Sequence, residues 1–137
     1  MRTKRVFALT VFALMVVFPL RNGVLSAHHS RAHYESADKQ KTMKGVVVEY
    51  KWRNPHVFVV WEVKDDSGKV VEWTGELSSV TTSIADGMTK SSLKSGDEIT
   101  VLAIPSKAGT PESLIRKIVK ANGKVVVDLT PQNIRER

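Results

Sequence analysis

Four histidines carry most of the metal-binding potential of this 137-residue chain, and three of them, His28, His29 and His33, fall within six positions. The fourth, His56, directly follows Asn54-Pro55. Neutral imidazole is the commonest side-chain metal ligand, and nitrogen donors in a square-planar array suit Cu(II) best. With His28 as the first residue of a shortened chain, its α-amine and ring Nδ1 would chelate one ion, and a third nitrogen would complete a T-shaped histidine brace. A cut one residue earlier leaves Ala27-His28-His29, where amine, two deprotonated amides and a ring also bind Cu(II) or Ni(II). Against this stands a plainer reading. A His-rich tail takes up stray metal without purpose, and His56, sharing a strand face with Phe58 and Val60, reads equally as a packed residue at a barrel end.

Other chemistry is less well supported. Glu72 and Glu76 share a face of one strand, opposite Trp73, and read as a solvated surface rather than an acid–base pair. Ser30 lies near His28 and His29, but no Gly-x-Ser-x-Gly elbow is present. The glycines are scattered singly at turns, so no phosphate-binding loop is formed. Trp52, Trp61 and Trp73 could stack bases or sugars, yet all three lie on apolar registers and read as core. The absence of cysteine excludes a disulfide scaffold, a thiolate metal site and a Cys nucleophile. Catalysis has no support beyond the candidate ligands, so a non-enzymatic protein is the expectation.

The elements that must position the histidines begin with a leader. Met1-Arg-Thr-Lys-Arg5 is basic, Val6 to Leu20 carries no charge, and a short polar stretch leads to Leu25-Ser26-Ala27. This is the layout of a secretory signal peptide over residues 1–27. Its fifteen apolar residues fall short of the roughly 20 that span a bilayer, and His28 stands where a lipoprotein would need cysteine. The expected destination is the periplasm or the exterior, with no membrane anchor after cleavage. The formal net charge is +7. Cleavage removes Arg2, Lys4, Arg5 and Arg21, leaving 17 basic against 14 acidic side chains and a net of +3. That charge does not make a nucleic-acid face.

The remaining residues read mainly as strands. Lys44 to Trp52 alternates, with Val46, Val48, Tyr50 and Trp52 on one face. Arg53-Asn54-Pro55 marks a turn, His56 to Lys64 a second strand with Val57, Val59, Trp61 and Val63 on one face, and Asp65-Asp66-Ser67-Gly68 a hairpin. A third strand follows from Lys69 to about Glu76. Val80, Ile84 and Met88 recur at helical spacing, which reads as a short helix or an irregular crossover. A strand over 98–104 and a hairpin of 113–121 with 124–129 around Asn122-Gly123 complete the pattern. Five to six strands with one short helix after the third predict an all-β fold, a small OB-like barrel, rather than an immunoglobulin-like sandwich. The expected division is a His-containing segment over 28–41, a barrel over 42–129 and a polar tail over 130–137, with both ends loosely held.

His28-His29-Ser30 after the leader, Gly45-Val46-Val47, Trp52-Arg53-Asn54-Pro55-His56, Trp73 with Glu76, and Ser92-Leu93-Lys94-Ser95-Gly96-Asp97 occur in this order. Over residues 27–127 this resembles the exported bacterial proteins grouped as the domain of unknown function 6152 family. The resemblance implies export and a small barrel, without an established activity. It marks His28, His29, Asn54, His56 and Glu76 as recurring polar positions. Two stretches depart from it. Thr81-Thr82-Ser83-Ile84 stands where relatives carry a more basic, leucine-rich helix, and Arg31 and Tyr34 replace a Phe-containing stretch.

The expectation that results is a periplasmic barrel binding a metal ion, copper first, through His28, His29, His33 and His56. In it Glu76 orients a ligand histidine by accepting its second N–H, and Asn54 supports the site. The competing expectation is a non-enzymatic binding or assembly module, with a periplasmic protein, a small ligand or a second copy on its strand edge.

Overall fold

A computed structural model describes residues 31–131 of the chain. The expected leader and cleavage site, His28, His29 and residues 132–137 of the tail lie outside the described residues.

Gly45 is where the fold turns a sheet into a barrel. It lies within β1 (Lys41–Lys51), whose first half pairs antiparallel with β4 (Glu98–Pro105) and whose second half pairs antiparallel with β2 (Phe58–Lys64). A Cβ at Gly45 would come within 2.1 Å of the Glu62 carbonyl oxygen and 2.8 Å of Trp61 Cδ1. Only glycine allows that approach. Strand β3 (Val70–Glu76) runs antiparallel to β2. Its last residues, Thr74 to Glu76, pair in parallel with Glu112 to Leu114 of β5 (Glu112–Lys120). Because β5 also pairs with β4, the ring β1-β2-β3-β5-β4 closes, and β6 (Val125–Asp128) adds a sixth strand beside β5. A short helix, α1 (Val80–Ala85), connects β3 to β4. This is the expected all-β, OB-like barrel.

The core bears out the second strand and corrects part of the first. Val57, Val59 and Trp61 are fully buried, and Trp61 stacks on Trp73 with ring centroids 6.4 Å apart. Trp61 is therefore core, and Trp52 and Trp73 are partly buried and pack against that core. Along β1, however, Val46 and Val48 are 41% and 39% exposed while Val47 is 1% exposed. A bulge between Val47 and Glu49 inserts one residue into the ladder. It leaves Met43 and Val47 inside before it and returns Tyr50 and Trp52 to the core after it. Strand faces have a period of two, so one extra residue inverts them.

The helical spacing is also partly corrected. Ser79 caps α1 by accepting from the Thr82 amide, Ser83 is buried and Ile84 is exposed. Met88 enters the core only because Gly87, at φ +87°, turns the chain after the helix ends. The Asn122-Gly123 hairpin forms as expected, with Gly123 at φ +82°. The N-terminal segment is held more firmly than its polarity suggests. Tyr34 bridges to Ser106, the Glu35 amide donates to the Pro105 carbonyl at 2.9 Å, and the Lys107 amide donates to the His33 carbonyl at 3.1 Å.

Candidate functional site

The carboxylate of Glu76 organises one end of the barrel. Glu76 closes β3 opposite Phe58 of β2. The two strands stay joined beyond it, through the Leu77 amide to the Val57 carbonyl at 2.8 Å and the Val57 amide to the Ser78 carbonyl at 3.0 Å. This holds the loop carrying His56 against the end of β3. The loop is fastened from its other side too, because Asn54 Oδ1 accepts from the Val80 amide at 3.2 Å, at the start of α1. The Asn54-Pro55 peptide is cis. Asn54 therefore fixes the turn before His56 to the helix.

His56 Nδ1 lies against Glu76 Oε1, and the Tyr34 hydroxyl donates to Glu76 Oε2 at 2.6 Å. Both carboxylate oxygens are thus engaged, one from the loop before β2 and one from the N-terminal segment. Glu76 is 6% exposed, so the solvated face expected for it is wrong. A carboxylate removed from water is retained only where donors replace its hydration. Burial, then the hydrogen bond to Glu76, raises the Tyr34 phenol far above its ordinary range, so it stays protonated and donates. In the neutral tautomer whose Nδ1–H donates a hydrogen bond to Glu76, the ring lone pair lies on Nε2.

His33 is drawn elsewhere. Its Nε2 lies 3.4 Å from Ser106 Oγ and 3.6 Å from Glu112 Oε2, and its ring meets Tyr34 edge-on at 5.2 Å. Among the described residues no group of three or more His, Asp or Glu side chains is arranged to hold a metal ion. The structure thus brings His56 to Glu76, sends His33 to Glu112, and leaves His28 and His29 outside its description.

Tyr34, His56 and Glu76 line a cavity of about 760 Å³, together with Ser78 before α1, Thr82 within it and Arg116 on β5. Reading the sequence missed Tyr34 as a site residue. The available signal was an aromatic with a hydroxyl in an otherwise polar segment, since a buried phenol needs a partner.

Residues 20–116 match a family model described as a family of unknown function, DUF6152. No curated protein and no solved structure matches the chain.

Proposed function

The chain belongs to the DUF6152 family, and from that premise we propose that it is exported to the periplasm and holds a copper ion between its N-terminal histidines and His56. The observation that carries this reading is the sharing of Glu76 by His56 and Tyr34. A carboxylate on Nδ1 fixes the ring orientation and tautomer, as outer partners of metal-bound histidines do. The same carboxylate anchors the N-terminal segment at residue 34. Arg31–His33 form a 3₁₀ turn, and three residues of extended chain before it add at most about 10 Å, which is the reach this reading gives His28 and His29 toward His56. Cleavage after Ala27 makes His28 residue one, and its amine and ring chelate Cu(II) with His56 Nε2 as the third nitrogen. His29 supplies an auxiliary nitrogen. His33, paired with Glu112, takes no part in this arrangement.

The test begins with mass spectrometry of the exported protein, which should find His28 at the N-terminus. Calorimetric titration of that protein with Cu(II) should give one site per chain. His28→Ala and His56→Ala should each weaken it about tenfold or more, or about 1.4 kcal/mol. Acidification should weaken it as well, because each ligand imidazole must give up its proton. Equal copper binding by the parent and both variants overturns the proposal.

A further inference from the structure

The cavity that His56 and Glu76 line has a second functional group, carried by β5. Arg116 lines it from β5, and its guanidinium donates to the Leu129 carbonyl while the Leu129 amide donates back to the Arg116 carbonyl at 2.7 Å. The clasp holds the guanidinium at the cavity without neutralising it. Among the described residues Arg116 forms no ion pair. Asp128, which also lines the cavity, is paired with Lys117 at 3.0 Å. Burial works against ionisation there, yet the Thr130 hydroxyl and Lys117 hold the Asp128 carboxyl down at about 2.

We propose that this cavity is a binding site for a small hydroxylated monocarboxylate of the sugar-acid class, with Arg116 receiving the carboxylate. A partly buried cation that lacks a protein counter-charge is costly, and a ligand carboxylate supplies that charge in the planar two-point geometry that guanidinium favours. A single negative charge is specified because Glu76, Asp86 and Asp128 also line the cavity and repel a second one. Hydroxyls on the ligand are specified by the lining, where Ser78 and Thr82 carry hydroxyls that donate and accept. At about 760 Å³, the space lies within the usual range for ligand sites, roughly 300–1,000 Å³. It holds a six-carbon acid together with water.

The proposal is independent of the copper reading and is tested on metal-free protein. Titration with gluconate, followed by calorimetry and by the amide signals of Thr82 and Thr130, should give a Kd of about 1 mM or tighter. Sorbitol, the neutral analogue, should bind about tenfold more weakly or not at all. Arg116→Gln should lose about tenfold or more with its melting temperature retained, and Arg116→Lys should fall between the two because it keeps the charge without the fork. The lysine variant carries the test if the glutamine variant does not fold. Absence of gluconate binding overturns the proposal. So does equal binding of sorbitol, or of gluconate by a folded Arg116 variant.

Discussion

Two histidine–glutamate pairs stand on either side of Tyr34, and the same chemistry has different consequences in each. His56 and Glu76 have side chains 26% and 8% exposed, and the carboxylate has a second donor in Tyr34. His33 and Glu112 are 52% and 53% exposed and 3.6 Å apart, with the Thr110 hydroxyl as the further donor to Glu112. An exposed pair contributes about 0–1 kcal/mol, since water solvates each partner equally well when it is alone. A buried carboxylate has no such recourse, so removing a donor leaves it uncompensated. Burial thus makes one pair a fixed site and leaves the other a surface contact.

The largest effect expected from this contrast is at Glu76. Glu76→Ala should lower unfolding stability by about 3 kcal/mol, because it strands the Tyr34 hydroxyl and opens a void. Urea denaturation of the metal-free protein measures it, and a loss below about 0.5 kcal/mol would place Glu76 in the surface class. Next comes Tyr34→Phe. Deleting one hydrogen bond to a charged acceptor should cost about 1.5–2 kcal/mol. It should also speed proteolytic cleavage within the segment before β1, since Tyr34 fastens that segment to the barrel. Unchanged cleavage would show that the backbone bonds of His33 and Glu35 hold it alone. The smallest effect belongs to the exposed pair. Glu112→Ala should change stability by no more than about 0.5 kcal/mol, and a loss comparable to that of Glu76→Ala would break the comparison.

Much of the barrel was legible because its signals are local. Val57, Val59 and Trp61 alternate inward along β2, and Asn122-Gly123 closes the last hairpin, each as its own neighbours dictate. The β1 bulge was not legible, because Val46, Val47 and Val48 are three valines whose order fits either face. The pairing partner decides between them, and the register shift between Val47 and Glu49 belongs to the β1–β2 pair. The site divides in the same way. His56 and Glu76 were identifiable as candidates from residue type and motif. The burial of Glu76 and the part played by Tyr34 were not, because their hydrogen bond joins residues 42 positions apart.

What the sequence by itself determined, then, was the kind of protein: strand periods, turn dipeptides, one short helical spacing and a histidine-rich stretch after an apolar one. These depend on interactions among residues a few positions apart, which any short window contains. Tertiary structure alone decided which carboxylate would be buried, which histidine it would hold, and that Arg116 would line the same cavity from another strand. Those outcomes depend on ring closure, where parallel pairing of β3 with β5 sets Glu76 beside Leu114 and brings Arg116, two residues further along β5, to the cavity that His56 and Glu76 line. No local pattern encodes that closure, because its free energy comes from burying both strands at once in a shared core.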